Sequence, residues 1–283
     1  MIDQVKNWLK DQGFPLEMQT AAAFRKAGFE VTQSNLYSDL DTKKPREIDV
    51  FAADKDYVGV TQIAFIVECK SSKKPWLLLT DPEALTGHNR VRSFAFVSQN
   101  AITAMIEDPV FDSLMEQCPW FRKENQLAGY SLRSAFSDND IAYDAASCAA
   151  KASLDFVNGA KDYQQRVAFP VIVIASPLVR CWLDEKGEIQ AEEIPQGEVF
   201  FKYDLTNPWS CIRVVTLAAL PEFAHQAAQV AAFLRNQLLE SEEKLWEAQF
   251  SSPHPRSARQ LVEKRLKQFD GTNEGDAKSD LPV

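Results

Sequence analysis

Histidine is scarce in this sequence. The 283 residues contain three, His88, His225 and His254, far apart along the chain. That argues against a histidine-based metal centre and against a histidine-dependent nucleophilic triad. Cysteine is unpaired: Cys69, Cys118, Cys148, Cys181 and Cys211 show no CxxC spacing, and four of them adjoin apolar residues of expected core elements. Reduced, buried thiols are therefore expected rather than disulfides or a zinc knuckle. No apolar run approaches the roughly 20 residues needed to cross a bilayer. Met1-Ile2-Asp3-Gln4 lacks the basic and apolar regions of a signal peptide. A cytoplasmic protein without a membrane partner is the default expectation.

Positive charge is also in deficit, with 31 Lys and Arg against 40 Asp and Glu and a net charge of -9. As a whole the chain is a poor non-specific binder of polyanions. Nucleic acid is admitted as a partner only through local basic clusters. Lys43-Lys44-Pro45-Arg46, the stretch from Lys70 to Lys74, Arg90 with Arg92, and Arg122-Lys123 are such clusters. Internal repeats and low-complexity tracts are missing as well. What remains is ordinary globular usage, 45% hydrophobic and 25% charged, enough for one large domain or two small ones.

Ile2, Val5, Trp8 and Leu9 recur at helical spacing, and Gly13 ends that helix. Pro15 suits the first turn of a second helix, Leu16 to Ala27, which carries Glu17 in that turn and is closed by Gly28. Strands are expected over 29–34, 46–53 and 60–70, an antiparallel meander. Residues 71–139 read as an insertion or lid, with a helical stretch over 98–115 and an irregular one over 129–136. Ser137-Asp138-Asn139-Asp140 caps a helix from Ile141 to Val157. One long β-like run covers 168–183, further strands cover 188–194, 198–203 and 211–217, and a long amphipathic helix covers 223–250. One domain over 1–250 is thus followed, over 251–283, by a linker, a short basic helix (256–269) and a polar tail expected to be disordered.

The chemistry is concentrated between Glu47 and Lys70. A strand of Ile, Val, Phe and Ala has no packing reason to finish with Glu68-Cys69-Lys70, because charge placed there is costly unless something pairs with it or uses it. Side-chain alternation puts Glu68 and Lys70 on one face and Cys69 on the other. Asp49 lies on the adjacent strand of the meander, so its carboxylate can meet that of Glu68. Hard oxygen ligands of this kind suit a divalent ion such as Mg²⁺ or Mn²⁺. Asp49, Glu68, the backbone carbonyl of Cys69 and Glu17 are the candidate metal ligands. Lys70 can orient or deprotonate a water, or stabilise charge on a phosphoryl group in the transition state. Ser71, Lys73 and Lys74 follow at once and are candidates for holding a substrate backbone. Trp76 is better read as a hydrophobic anchor than as a base-stacking residue. Blander explanations exist for each member: Glu17 by the helix dipole, Asp49 by pairing with Arg46, Glu68 and Lys70 by a cross-strand ion pair. Their order along the chain is what favours a site.

The segments Gly13-Phe-Pro-Leu-Glu17-Met, Ala27-Gly28-Phe-Glu-Val31, Arg46-Glu-Ile-Asp49-Val and Val67-Glu68-Cys-Lys70-Ser-Ser-Lys-Lys-Pro-Trp76 resemble the PD-(D/E)XK nuclease superfamily, in particular its Mrr-like and related bacterial members. The resemblance covers the first quarter of the chain; beyond it only element order fits. It implies an α/β restriction-endonuclease-like fold, a mixed central sheet flanked by helices, with an insertion after the third strand. It implies that Asp49 and Glu68 are metal ligands, Lys70 catalytic and Glu17 an auxiliary ligand in a Mg²⁺-dependent nuclease. DNA is the implied substrate, less often RNA, and restriction or anti-phage defence an implied setting, with a homodimer or protein partner open. Ile48 stands where many members carry proline, and no glutamine motif is evident in 141–157. A nuclease-like fold retained as a silent binding or scaffolding module is the alternative from another class, and a ribonuclease the alternative within the same one.

Overall fold

The computed structural model describes residues 1–255 except 57, 83, 85–93, 109, 116, 122–127, 138–139, 203–209 and 253. Arg90, Arg92, Arg122, Lys123 and the basic helix and tail expected beyond 255 lie outside the described residues. The chain is α/β. It opens with helices α1 (Ile2–Asp11) and α2 (Phe14–Lys26), followed by strands β1 (Glu30–Ser38), β2 (Pro45–Ala53) and β3 (Thr61–Lys70). Then come β4 (Trp76–Thr80), β5 (Phe96–Val97), α3 (Gln99–Glu107), α4 (Phe111–Met115), a 3₁₀ turn (Pro119–Phe121) and β6 (Ala128–Ser134). Helix α5 (Ile141–Asn158) leads to β7 (Gln165–Ile174), β8 (Leu178–Leu183), β9 (Ile189–Ile194), β10 (Gln196–Phe201) and β11 (Ser210–Thr216), and the described part closes with α6 (Leu220–Gln237) and α7 (Leu239–Phe250).

Among the described residues eleven strands form one mixed sheet in the order β1-β2-β3-β7-β11-β10-β6-β4-β8-β9, with β5 pairing beside β7. Strands β1, β2 and β3 are the expected antiparallel meander. Strand β7 then lies parallel to β3 over its full length, from Thr61 opposite Gln165 to Lys70 opposite Ile174. A parallel neighbour needs a crossover, and α5 supplies it. Buried on both faces, β3 reads as a nearly unbroken apolar run, as interior strands with parallel neighbours do.

Two apolar layers cover the sheet. Phe65, Val67 and Cys69 of β3 face a layer that includes Leu16 and Phe24 of α2 and Phe223, Val230 and Leu234 of α6. Phe24 meets Phe29, Phe65 and Phe223 with ring centroids 5.4, 5.9 and 6.3 Å away. These contacts seat α2 across β3 and so fix where its first turn comes to rest. On the other face Ala64 and Ile66 meet α5, whose buried side is mostly alanine (142, 145, 146, 149, 150 and 152), with Ser153, Leu154 and Val157. Small side chains let that helix approach the sheet closely. Asp140 caps it by accepting the Tyr143 N–H at 3.2 Å.

Several expectations change. Residues 71–139, set apart in sequence as an insertion or lid, contribute β4, β5 and β6 to the sheet itself, and the stretch expected to be irregular over 129–136 contains β6. The single run over 168–183 is two strands with different neighbours: β7 between β3 and β11, and β8 between β4 and β9. The helix expected over 223–250 is broken at Leu238, where the Leu238 carbonyl accepts from Gln165 Nε2 at 3.0 Å. The end of α6 is tied to the β2–β3 turn by Arg235, which meets Asp54 at 2.5 Å, Asp56 at 3.6 Å and the buried Glu242 at 3.8 Å. No helix among the described residues is long and apolar enough to cross a membrane.

Candidate active site

Glu17 reaches the site because α2 begins where it does. Gly13 enters the helix with φ at +85°, a conformation that L side chains rarely adopt, and Pro15 and Glu17 occupy the first turn. A Cβ at position 13 would lie 3.5 Å from that of Ser71. The start of α2 is therefore packed against the chain just past Lys70. Its helix-dipole end also lies beside the carboxylates described next.

Asp49 is aimed by an irregularity in β2. Gln33 pairs with Val50 and Asn35 with Ile48, but Ser34 and Asp49 between them drop out of the ladder, with Ser34 at φ +52°. Across this point the strand changes faces: Ile48 packs under α5, whereas Val50 and Ala52 pack under α2. A regular strand would keep all three on one side. Local breaks of this kind re-aim side chains near functional sites. Asp49 Oδ2 accepts the Cys69 N–H at 2.6 Å, a bond from β2 to the last turn of the pleat on β3.

Glu68 and Lys70 continue the even-numbered series of β3 toward the α5 face. Glu68 is buried and Lys70 half-buried, and Lys70 Nζ lies 2.5 Å from Glu68 Oε1. Burial, with the Asp49 charge adding to it, pushes the Glu68 carboxyl up to about 7 from its ordinary 4.5. Asp49 is also raised, chiefly by burial, against the opposing pull of the Cys69 N–H and Lys70. Glu17 is raised by burial and then by Asp49, with Lys70 opposing. For Lys70, burial acts to lower the ammonium, but the charge and hydrogen bond of Glu68 outweigh it and hold the group above the usual lysine value. Glu17, Asp49, Glu68 and Lys70 thus lie within electrostatic reach of one another at the end of the β2–β3 pair.

Cys69 serves through its backbone. Its Sγ donates to Thr20 Oγ1 of α2 at 3.5 Å, and burial raises the thiol well above its ordinary value. The N–H and C=O of one strand residue point to the same side. The Cys69 N–H faces Asp49, and Lys70 O, one residue on, accepts Ala175 N–H on the β7 side at 3.3 Å. The Cys69 carbonyl therefore faces Asp49 too. Ser71 and Lys73 are exposed in the turn after β3. Lys74 donates to the Phe136 carbonyl, which ties that turn to the end of β6. Trp76 is fully buried and acts as the packing anchor expected of it. Two residues without any sequence signal lie within electrostatic reach of Glu68: Tyr37 of β1 and Cys148 of α5.

Among the described residues no group of three or more His, Cys, Asp or Glu side chains is gathered closely enough to enclose an ion as it stands. The chemistry of the donor set nevertheless fits a hard cation. Three carboxyl groups have raised affinities for protons, and Glu68 is raised in part by Asp49. A divalent ion between those two would neutralise the charge that burial and mutual repulsion penalise. Compared with protein-family models, with curated proteins and with solved structures, the chain shows no significant match.

Proposed function

We propose that this chain is a divalent-metal-dependent endonuclease of DNA, with the restriction-endonuclease-like fold of the PD-(D/E)XK superfamily, acting in restriction or anti-phage defence. The observation that carries the reading is the mutual electrostatic reach of Glu17, Asp49, Glu68 and Lys70, drawn from one helix and two strands. The order helix, three-stranded meander, helix, parallel strand (α2, β1–β3, α5, β7) supports it as the frame that the resemblance implies. Asp49, Glu68 and the Cys69 carbonyl would hold Mg²⁺ or Mn²⁺, with Glu17 as an auxiliary ligand. The ion would supply Lewis-acid polarisation of a phosphoryl oxygen.

Lys70 has a definable part. An ammonium held above the ordinary lysine value is a poor proton acceptor at neutral pH. Its role is to present a fixed positive charge to the phosphoryl group as negative charge develops there. Glu68 orients it through the 2.5 Å contact. Asp49, braced by the Cys69 N–H, is held to one orientation, so less of its freedom is lost on binding an ion. Exposed Lys73 and Ser71 flank the site where a phosphodiester backbone would lie.

The second reading, a silent binding module, is favoured by one observation: as placed, Lys70 occupies a carboxylate oxygen of Glu68, and no carboxylate cage is closed among the described residues. A side-by-side assay decides between them, with single- and double-stranded DNA and RNA, in Mg²⁺, Mn²⁺ or EDTA. Cleavage that needs metal and is lost in both Asp49→Ala and Lys70→Ala supports the nuclease. Cleavage that survives both substitutions refutes the site. Inactivity on all four substrates, with no metal binding by calorimetry, supports the module.

A further inference from the structure

The first helix presents its apolar side to solvent. Ile2, Val5 and Trp8 recur on one face of α1 and are 71%, 51% and 56% exposed, and Phe14 and Met18 of α2 add 38% and 55%. An amphipathic helix ordinarily turns such a stripe inward. The patch is placed at the mouth of the site above. Trp8 and Phe14 lie with ring centroids 5.9 Å apart. Phe14 and Glu17, three residues apart on α2, share a face of that helix. The glycine joining the two helices packs against Ser71, the residue after Lys70. The aromatic pair thus adjoins, through Gly13, the turn that carries exposed Ser71 and Lys73.

We infer that Trp8 and Phe14 form a stacking platform for unpaired bases, making single-stranded nucleic acid the substrate class of the site; this rests on the nuclease reading. One feature of the patch favours this occupant over another protein. The aromatics adjoin the turn that carries Ser71 and Lys73, so hydroxyl and ammonium groups suited to a phosphate backbone stand beside rings suited to its bases. The choice of single strand over duplex follows from the chain's net charge of -9, which as a whole disfavours the broad basic surface that grips duplex phosphates. Stacking supplies affinity without such a surface, and a duplex keeps its base faces covered.

The test uses the full chain in a Lys70→Ala background with Mg²⁺, so that binding is read apart from hydrolysis. The probes are a fluorescein-labelled 20-nucleotide single strand and its duplex, followed by anisotropy. The platform predicts preferential binding of the single strand. Stacking is worth roughly 1–3 kcal/mol per base, so Trp8→Ala should weaken that binding by roughly 5- to 150-fold, while Trp8→Phe restores most of it and duplex affinity does not change. Circular dichroism confirms that the variants fold. Equal loss on both probes, or no loss on the single strand, overturns the inference. So does sedimentation showing that Trp8→Ala dissociates a dimer while single-strand affinity is kept. Cleavage by the Lys70-intact chain is scored separately. If no substrate is cut but Trp8-dependent single-strand binding persists, the nuclease reading has failed and the platform stands. If cleavage is intact and indifferent to Trp8, the platform has failed alone.

Discussion

Replacing Glu68 by glutamine should make the metal-free protein less sensitive to alkali, by an amount that the structure bounds. A carboxyl group whose folded value lies above its unfolded one contributes stability that is fully present below the unfolded value and lost as pH rises through the folded one. For Glu68 those limits are the ordinary 4.5 and about 7. Across that interval the folded chain keeps a proton that the unfolded chain has released, so stability falls at about 1.4 kcal/mol per pH unit. The whole interval sets a ceiling of about 3 kcal/mol. Glu68→Gln removes the titration but also strips Lys70 of its partner, a separate penalty that shifts the whole curve. The informative quantity is therefore the difference in slope, not the difference at one pH. Urea unfolding of both proteins in EDTA, at half-unit steps from pH 5 to 8, measures it. The wild-type protein should lose about 2 to 3 kcal/mol relative to the variant between those ends. Parallel curves would refute the reasoning: Glu68 would then be ionised throughout and the electrostatic account of the site wrong.

Mg²⁺ should reverse that alkaline loss, since binding to the ionised carboxylates stabilises the folded chain by mass action. The expected midpoint shift is large at pH 8, small at pH 5 and missing in Asp49→Ala, all readable by differential scanning fluorimetry. On the nuclease reading, Lys70→Ala should lower the cleavage rate by roughly 10²- to 10³-fold, the scale of removing one group that stabilises transition-state charge, while Mg²⁺ binding by calorimetry is kept or tightened, because Glu68 loses the ammonium that occupies one of its oxygens. Lys70→Arg should recover part of the rate if a fixed positive charge is what matters, and an equally dead arginine variant would oppose that role. Away from the site, Arg235→Met leaves Asp54, Asp56 and the buried Glu242 without their shared cation. Breaking a buried pair of this kind costs roughly 3–5 kcal/mol. Urea unfolding should show that loss, and one under about 1 kcal/mol would mean the network is not closed in solution.

Short-range order was legible in the sequence, and the partners of distant strands were not. The meander followed from three β-like runs separated by polar turns, and the face shared by Glu68 and Lys70 followed from strand alternation alone. The run over 168–183 reads as a unit in sequence because its apolar content is similar on both sides of Ser176-Pro177. What divides it is pairing. Strand β7 adds to β3, whereas β8 turns away to β4, and the Pro177 carbonyl accepts the Trp76 N–H at 2.9 Å across a hundred residues of sequence. The break at Leu238 is similar: hydrophobic periodicity runs on through it, and the Leu238 carbonyl accepts from Gln165 Nε2 in addition to the Glu242 N–H.

The candidate site shows the same division within a single residue. Asp49 could be named from its place before Val50 on a strand beside Glu68-Cys69-Lys70. Its aim could not, because a regular β2 would carry Ile48 and Val50 on one face, and nothing in the local sequence announces the switch. The left-handed backbone of Ser34 on the neighbouring strand permits that switch, and the Cys69 N–H on the third strand fixes the carboxylate. Three strands thus set one side chain, and each contribution is invisible from the other two. A Ser34→Gly substitution, which eases positive φ without removing any contact to Asp49, should therefore leave the site intact. Ser34→Val, whose branched side chain resists that conformation, should disturb Asp49 from across the sheet. The expected signature is weakened Mg²⁺ binding in a folded protein, and unaltered binding in Ser34→Val would show that Asp49 is aimed by β2 and β3 alone.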